Sequence, residues 1–217
     1  MPPSLSTFST GSQACKCKAE SHAPRFIVLT GGPGAGKTAV LEVVRRTFCV
    51  HLGVLPESAS ILFGGGFPRF ETSPGQRACQ RAIFHVQDEI ERLAMDELHV
   101  GLAICDRGTI DGLAYWPDDE ASFFEAVGTT KERELARYAA VIHLRTPSPD
   151  AYNHSNPLRT ETAAEAARID LRIEAVWAGH PNRLFVESAR DFVEKASQAV
   201  ELVRAQLPDC CKNNGAH

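Results

Sequence analysis

One contiguous segment of the chain has the residue types and spacing of a phosphate-binding loop, Gly31-Gly32-Pro33-Gly34-Ala35-Gly36-Lys37-Thr38. Glycines at these positions allow successive backbone N–H groups to point toward the β- and γ-phosphates of a nucleotide. The N-terminus of the helix that follows adds a positive dipole, and Lys37 supplies a point charge. The Thr38 hydroxyl is expected to hold Mg²⁺. The pattern predicts binding of Mg-ATP, with GTP as the alternative, through Gly32, Pro33, Gly34, Ala35, Gly36, Lys37 and Thr38.

A second polar group, Asp106-Arg107-Gly108, follows an apolar run at 100–105. If this run is a strand beside the first one, the Asp106 carboxylate can reach the Mg²⁺ shell directly or through water. Arg107 can then contact a phosphate or hold a carboxylate. The alternative interpretation makes Asp106 a helix N-cap or a turn residue. Asp111 is a candidate for contacting the second substrate, and capping of the following helix is an equal alternative.

Two further residues are candidates for roles in phosphoryl transfer. Glu57 follows the second predicted strand, at the edge that faces the ligand crevice of an α/β sheet, so its carboxylate could accept a proton from an acceptor hydroxyl. A helix-start charge that complements the dipole is the alternative for Glu57. The segment 147–160 is too long for a plain connection, and Arg159 near its end could close over the γ-phosphate. The predicted catalytic residues are therefore Lys37, Glu57, Asp106 and Arg159, and the predicted substrate contacts are Glu57, Arg107 and Asp111.

The cysteines and histidines give weaker signals. Cys15 and Cys17 lack a second pair or histidines at the spacing of a zinc motif, and Cys210 and Cys211 are interpreted as thiols of a tail. His143 lies in a predicted strand and is interpreted as a structural histidine. Three arginines suit an anionic acceptor or, alternatively, a solvated surface: Arg69, Arg77 and Arg81.

A parallel sheet is needed to position these residues, and the sequence pattern predicts one. Short apolar runs alternate with helical patterns through the central part of the chain. Strands are predicted at 26–29, near 55, at 100–105, 140–144 and 184–186. Helices are predicted at 37–48, 76–97, 118–127, 130–138 and 191–206, with one more that Thr162 and Glu165 cap. In the longest helix, Ile83, Val86, Ile90 and Leu93 are expected to face the core. The fold class is thus α/β, a three-layer domain of five βα units with a lid segment.

Length and composition restrict the possible classes of protein. The chain has 217 residues, 43% of them apolar, which suffices for one substantial core. Residues 1–24 and 207–217 are poor in large apolar side chains, so we expect a disordered N-terminal tail, one domain at 25–206 and a flexible C-terminal tail. The net charge of −4 argues against nucleic acid as a partner.

The lack of recognisable targeting signals and the cysteine usage predict a cytoplasmic protein. The sequence shows neither a signal peptide nor the run of about 18 apolar residues that spans a membrane. Its seven cysteines are an odd number without the spacing of a disulfide framework. We expect a monomer or homodimer that binds a nucleotide and a small-molecule acceptor.

On these residues, the chain resembles an AAA-type P-loop NTPase family of kinase-like domains, related to the nicotinamide riboside kinase domain of NadR and to the fly TRPL-translocation-defect protein. The likeness covers about residues 25–206. Its matching residues are those at 30–38, Pro56-Glu57, Cys105-Asp106-Arg107-Gly108, Asp111, Ala114-Tyr115, Asn156, Arg159, Trp177 and Gly179-His180.

This resemblance implies a five-stranded parallel sheet of order 2-3-1-4-5 with the nucleotide across its C-terminal edge. The family includes nucleoside-type kinases and ATP- or GTP-binding proteins with regulatory or lipid-binding roles. The chain is also similar to deoxynucleoside kinases, in which a carboxylate after the second strand is the general base, and this likeness favours that role for Glu57.

Two hypotheses about function follow. The first is a P-loop phosphotransferase that uses Mg-ATP and acts on a small hydroxyl-bearing, nucleoside-like metabolite. Thr38 and Asp106 would hold its metal ion. The alternative is an ATP- or GTP-binding regulatory NTPase module with slow hydrolysis. An ATPase that works as a ring is disfavoured because the chain is too short to add a helical lid domain.

Overall fold

A six-stranded mixed sheet forms the centre of the protein, in a computed structural model that describes residues 8–15, 17, 22–147, 162–188 and 191–212. Across the sheet the order is β1-β3-β4-β2-β5-β6; β1 is antiparallel to β3, and the other five strands are parallel. The strands are β1 (Ser9–Thr10), β2 (Arg25–Thr30), β3 (Leu52–Leu55), β4 (Leu102–Asp106), β5 (Ala140–Leu144) and β6 (Arg183–Val186).

The α/β class is confirmed, and the strand count and the order of the whole sheet differ from the prediction. The five parallel strands follow one another as expected, and β1 adds a sixth, antiparallel strand at one edge. A strand of two residues has too few side chains to show an alternating pattern, so the sequence carries no periodic signal for it.

Helices cover both faces of the sheet. They are α1 (Lys37–Thr47), α2 (Ser58–Gly64), α3 (Ser73–Glu97), a 3₁₀ helix (Thr109–Tyr115), α4 (Glu120–Val127), α5 (Lys131–Ala136), α6 (Ala163–Val176), α7 (Phe192–Gln206) and α8 (Asp209–Lys212). Of these, α2 and α8 were not predicted. The helix expected to follow Asp111 is the 3₁₀ helix, which begins two residues earlier, at Thr109. The capping box of α6 is formed as expected, because the Thr162 hydroxyl accepts from the N–H of Glu165 and the Glu165 carboxylate accepts from the N–H of Thr162. None of the helices in the described part of the chain is long and apolar enough to cross a membrane.

Two hydrophobic cores lie on opposite faces of the sheet. One packs α1 and α7 against the strands, with Val40, Val44 and Ala199 fully buried. The other packs α3, α4, α6 and the 3₁₀ helix, with Phe123 and Trp177 at its centre. Because β2 is covered on both faces, residues 27–30 are all buried, as is typical of a central parallel strand.

The two terminal segments differ from the predicted tails. Besides β1, residues 11–13 bond through their backbone to the end of α1, the turn after it and the first residue of β3. At the other end, Leu207 and Cys211 are each only 2% exposed and join the core of α1 and α7. The described residues of these segments pack through a few apolar and cysteine side chains, which a criterion based on large apolar residues does not register.

The buried face of α3 also differs from the prediction. Leu93 is 49% exposed, and Ile83, Val86 and Ile90 are only partly buried. Its buried positions include Phe84 and Ala94 but also four polar residues: Gln80, Gln87, Asp88 and Glu91. Gln87, Asp88 and Glu91 bond within the protein, and Gln80 lines a cavity, so burial on α3 does not follow apolarity.

Candidate active site

The phosphate-binding loop connects the carboxyl end of β2 to α1. Three of its glycines have positive φ angles, 138° at Gly31, 78° at Gly34 and 91° at Gly36, which L side chains rarely adopt. Gly36 directly precedes α1, whose first residue is Lys37. The local backbone is therefore the turn that brings N–H groups and a helix N-terminus to one anion site, as the motif predicts.

The Lys37 side chain folds back over this loop. Its Nζ donates to the carbonyl of Gly31 at 3.0 Å and to that of Gly32 at 3.4 Å. Burial, reinforced by the positive charge of Arg107, lowers the pKa of Lys37 to about 8, although nearby acidic groups oppose the shift. A phosphate group would add the negative charge that stabilises this ammonium ion.

Helix α6 approaches the loop from the other side through Asp170. The Asp170 carboxylate accepts from the N–H of Gly32 at 2.7 Å and contacts His143 Nε2 at 2.9 Å. A Cβ on Gly32 would come within 2.5 Å of the Thr146 hydroxyl and 2.9 Å of the Asp170 Cβ, so glycine is required there. Burial opposes ionisation of Asp170, but the hydrogen bonds from His143 and Gly32 keep its pKa below the usual value. His143 is thus a buried, bonded histidine, and Asp170 positions the loop.

Asp106 ends β4, which pairs in parallel with β2, and Asp106 itself pairs with Leu29. Its Oδ1 is buried without a hydrogen-bond partner. Burial, together with the charges of Glu57 and Asp111, raises the pKa of Asp106 to about 6 against the opposing effect of Lys37 and Arg107. Gly108, not Asp106, precedes the 3₁₀ helix, so the capping alternative is wrong.

Arg107 has a positive φ of 73°, unique among the described residues other than glycine. Its N–H donates to the carbonyl of Leu29 at 3.1 Å, and its Nε donates to Glu57 Oε1 at 2.7 Å. One terminal nitrogen, NH1, is buried without a hydrogen-bond partner and lies 3.6 Å from Asp111 Oδ2. A left-handed conformation at a non-glycine residue stores about 1–3 kcal/mol of strain and is common at functional sites.

Glu57 immediately precedes α2, but its side chain does not cap the helix. Instead, Oε1 accepts from Arg107, and Oε2 accepts from the Ser60 hydroxyl at 2.5 Å. Burial opposes ionisation, yet Arg107, Ser60 and Lys37 together hold the pKa of Glu57 below its usual value. The carboxylate is therefore ionised and oriented, although it is a weak base.

Asp111 is 3% exposed and both of its carboxylate oxygens are engaged within the protein. Oδ2 accepts from the Thr30 hydroxyl at 2.7 Å, and Oδ1 accepts from the Trp177 indole N–H at 2.6 Å. It lies in the first turn of the 3₁₀ helix without being its N-cap. Asp111 therefore ties the end of β2 to the helical layer beneath the site.

Two cavities meet at Glu57. One, of about 490 Å³, is lined by Thr38, Asp106, Glu57 and Ser60 among others. The second, of about 370 Å³, includes Pro33, Glu57, Arg107 and Asp111, together with two aromatic rings, an arginine and an amide: Phe63, Tyr115, Arg69 and Gln80. The Arg69 guanidinium lies 3.5 Å from the centre of the Phe63 ring.

The residues next to the loop fit a divalent cation. Asp106 and Thr38 line the same cavity, and the Asp106 Oδ1 has no hydrogen-bond partner. Carboxylate and hydroxyl oxygens are hard ligands of the kind that Mg²⁺ prefers. A bound cation would also compensate the buried negative charge that makes ionisation of Asp106 unfavourable.

The structure thus brings together five predicted residues: Lys37, Glu57, Asp106, Arg107 and Asp111. Arg159 and Asn156 lie outside the described residues. Sequence analysis missed Asp170, Ser60, Phe63 and Gln80. Asp170 is 138 residues from its partner Gly32, so no local pattern connects them. A glutamine on an otherwise amphipathic helix gave no sign that it faces a cavity.

Comparison with known proteins gives one family and a related fold. The model of a family described as AAA domain matches residues 26–195. A structure titled as the crystal structure of NadR protein in complex with NR is similar with a TM-score of 0.57 and 11% identity. The likeness covers 85% of this chain and 51% of that one, so the chain spans about half the length of that protein. No curated protein sequence matches.

Proposed function

The chain belongs to the AAA domain family of P-loop proteins, and from this premise we propose that it is a phosphotransferase that uses Mg-ATP and phosphorylates a hydroxyl group of a small, nucleoside-like molecule. The observation that carries the proposal is the position of Glu57. Its carboxylate lies on the wall shared by a cavity beside the phosphate loop and a second cavity lined by aromatic and amide side chains. A nucleotide hydrolase has no need of the second cavity.

The phosphate loop and its neighbours would bind the nucleotide. The loop N–H groups and Lys37 would contact the β- and γ-phosphates, while Thr38 and Asp106 would hold Mg²⁺. When bound, the cation neutralises charge on the phosphate oxygens. Lys37 now bonds to the loop carbonyls, so we expect it to turn toward the phosphates when they arrive.

Glu57 and Arg107 would act on the acceptor. A hydroxyl group that enters from the second cavity can replace Ser60 as the donor to Glu57, which then receives its proton during transfer. A weak base suffices, since the transition state of phosphoryl transfer is loose and needs chiefly positioning and charge stabilisation. Arg107 orients Glu57 and has a buried N–H left for the acceptor or the phosphoryl group.

The chemistry of the second cavity supports a flat, polar acceptor. Phe63 and Tyr115 supply aromatic rings, of which Phe63 has one face covered by Arg69. The Gln80 amide can both donate and accept hydrogen bonds. Such a set suits the base and sugar of a nucleoside. The similar fold of NadR protein, solved in complex with NR, agrees with an acceptor of this class. Arg159 remains a proposed lid residue over the γ-phosphate.

A ligand screen tests the proposal. Thermal denaturation of the full chain is measured with Mg²⁺ and ATP, GTP, ADP or GDP, and then with nucleosides in the presence of a non-hydrolysable ATP analogue. A second, additive rise in Tm identifies an acceptor, because a ligand specific to the folded state raises its stability. Stabilisation by nucleotide alone, with slow hydrolysis that no acceptor accelerates, would contradict the proposal and indicate a regulatory NTPase.

Lys37→Ala is the matched test of the nucleotide site. We expect phosphoryl transfer to fall by about 10³-fold or more while the fold is retained, because Lys37 supplies charge at the transferring group. Lys131→Ala, on α5, serves as the control for loss of one positive charge. Unchanged turnover in Lys37→Ala would show that this loop is not the catalytic site.

A further inference from the structure

Cysteine and histidine side chains gather at the edge of the sheet opposite the phosphate loop, at the amino ends of the parallel strands. They come from three distant parts of the chain. Cys15 lies in the N-terminal segment, Cys49 and His51 lie in the turn between α1 and β3, and Cys211 lies in α8. The additional cysteine and histidine that a metal site needs beside Cys15 are therefore supplied by residues remote in the sequence.

The ligating atoms of these four residues all lie within 4.8 Å of one another. The Cys15 and Cys211 sulfurs are 3.9 Å apart, and the Cys211 sulfur is 3.5 Å from His51 Nδ1. Cys49 and Cys211 are each only 2% exposed, while Cys15 and His51 are partly buried. The described cysteines form no disulfide.

We propose that Cys15, Cys49, His51 and Cys211 bind one zinc ion in a tetrahedral site with three thiolate ligands and one imidazole. Such a composition and ligand number are those of structural zinc sites. The three thiols would release their protons to solvent when the ion binds.

The distances agree with this geometry. With Zn–S bonds of about 2.3 Å and a Zn–N bond of about 2.0 Å, tetrahedral angles place two sulfurs about 3.8 Å apart and a sulfur and a nitrogen about 3.5 Å apart. The corresponding separations in the structure are 3.9 Å and 3.5 Å. A disulfide would instead require about 2.05 Å between sulfurs.

A backbone N–H group supports one of the proposed ligands. The N–H of Cys17 donates to the Cys15 sulfur at 3.3 Å. Hydrogen bonds of this kind orient a ligand and stabilise the thiolate form once the metal is bound.

The surrounding packing holds both terminal segments in place. Gln13 forms a backbone bridge with Cys49, and a Cβ on Gly11 would meet the Cys49 carbonyl oxygen at 2.1 Å. On the other side, Pro208 packs so closely against Gly101 that a Cβ there would lie 2.5 Å from its ring. The ligands from the two ends are thus positioned by the fold itself.

A second set, Cys17, His22, His51 and Cys211, shares two ligands with the first. We favour the first set because it contributes three thiolates and two fully buried ligands, whereas the second contributes two thiolates and only Cys211 is fully buried. His22 packs edge-on against the His51 ring, with centroids 4.7 Å apart, and can orient that ligand.

The test begins with the metal content of the full chain, purified under reducing conditions without chelator and with any affinity tag removed. We expect about one zinc per chain by elemental analysis. After removal of the metal, titration with Co²⁺ should give intense visible bands of tetrahedral cobalt and a thiolate charge-transfer band. A chelator should lower the Tm of the zinc-loaded protein.

Two variants at proposed ligands and two control variants test the ligand assignment. Cys211→Ser and Cys49→Ser should lose the bound zinc and the tetrahedral cobalt spectrum. Cys79→Ser, at a buried cysteine in α3, and Lys37→Ala, at the nucleotide site, should retain both. The cobalt spectrum of the unaltered chain needs no substitution, so the test survives if a serine variant fails to fold.

Three outcomes would overturn the proposal. The first is a reduced, unaltered chain that contains no zinc and gives no tetrahedral spectrum with Co²⁺. In the second, Cys49→Ser and Cys211→Ser bind metal as the unaltered chain does, which would place the ion elsewhere. In the third, Cys17→Ser loses the metal while Cys15→Ser retains it, which would assign the second set.

Discussion

Two buried polar clusters each include one residue of the 3₁₀ helix, Thr109 or Asp111, and they differ in how completely their hydrogen bonds are satisfied. In the first, Glu91 accepts from the Tyr138 hydroxyl at 2.8 Å with one oxygen and from Arg137 at 2.7 Å with the other. The Thr109 hydroxyl donates to Glu134 at 2.7 Å, and the Thr109 N–H donates to the Tyr138 oxygen. We call these five residues the Glu91 network.

The second cluster, formed by Lys37, Glu57, Asp106, Arg107 and Asp111, is incompletely bonded. Among the described residues, three buried side-chain atoms lack a hydrogen-bond partner: Asp106 Oδ1, Arg107 NH1 and, at the rim of the Glu91 network, Gln87 Oε1. Two of the three therefore belong to the candidate active site. The Glu91 network is organised for stability, whereas the active-site cluster keeps bonding capacity for a ligand.

The largest effect is expected from Asp106→Asn. Loss of this carboxylate should reduce phosphoryl transfer by about 10³-fold, or about 4 kcal/mol, because a proposed metal ligand is removed. The free energy of unfolding should stay the same or rise, since the substitution removes a charge from a buried side chain whose Oδ1 has no hydrogen-bond partner. Kinetics with the acceptor found in the ligand screen, and urea unfolding, measure the two effects.

Asp96→Asn, at an exposed position of α3, controls for the change in net charge. A large loss of stability in Asp106→Asn would show instead that Asp106 belongs to a structural network and would remove the contrast between the clusters.

Glu91→Gln should lower stability and leave activity nearly unchanged, the opposite of Asp106→Asn. The glutamine amide would place an N–H group next to the donors Tyr138 and Arg137, and Arg137 would lose its buried anion. We therefore expect a loss of about 3–5 kcal/mol in the free energy of unfolding. Chemical denaturation measures this loss, and Glu89→Gln, exposed on the same helix, is the control. Turnover of the folded fraction should change little; a stable but inactive variant would contradict a purely structural role.

The pH dependence of stability should also separate the clusters. Burial raises the pKa of Asp106 from 3.8 to about 6, so between these values the folded protein binds more protons than the unfolded chain. This contribution to stability is fully present below 3.8 and is lost as pH rises through about 6. A shift of about two pKa units corresponds to at most about 3 kcal/mol.

The measurement compares urea unfolding of the unaltered chain and Asp106→Asn from about pH 4 to about pH 7. The difference in unfolding free energy between them should change across this range. A constant difference would mean that Asp106 ionises as freely in the folded protein as in the unfolded chain.

The smallest effect is expected from Ser60→Ala. Removal of the hydroxyl deletes one hydrogen bond that lowers the pKa of Glu57, so this pKa should rise. The acidic limb of the pH–rate profile should move to higher pH, with a change in stability below about 1 kcal/mol. Ser73→Ala, at the exposed start of α3, is the control. An unshifted limb would argue that Glu57 does not control the rate.

How well each region could be predicted depends on whether the residues that determine its structure are close together in the sequence. The phosphate loop is contiguous in sequence, and its glycines indicate where the backbone adopts positive φ angles. Its position between β2 and α1 could therefore be predicted. Asp106 was placed correctly because the end of a parallel strand fixes where its residues lie. Its unpaired oxygen, in contrast, results from packing of several elements and leaves no pattern along the chain.

The Glu91 network could not be predicted from the hydrophobic pattern of the sequence. The hydrophobic pattern of α3 assigned Leu93 to the core, but the helix turns Glu91 inward to meet Arg137, 46 residues away. The cysteines at the two ends present the same difficulty, since their juxtaposition is a property of the folded sheet. Contacts between polar residues that are far apart in the sequence produce no periodic pattern, so a single sequence does not reveal them.

The contact between Cys15 and Cys211 closes a loop of 196 residues. In an unfolded chain, bringing together two points so far apart would cost about 5 kcal/mol of conformational entropy. Folding of the sheet brings the two ends together whether or not a metal is bound. The four ligands, which come from remote segments, therefore have a high effective concentration for one another. A cation bound there would discriminate strongly between folded and unfolded chains, and removal of either end should have the same effect on its retention.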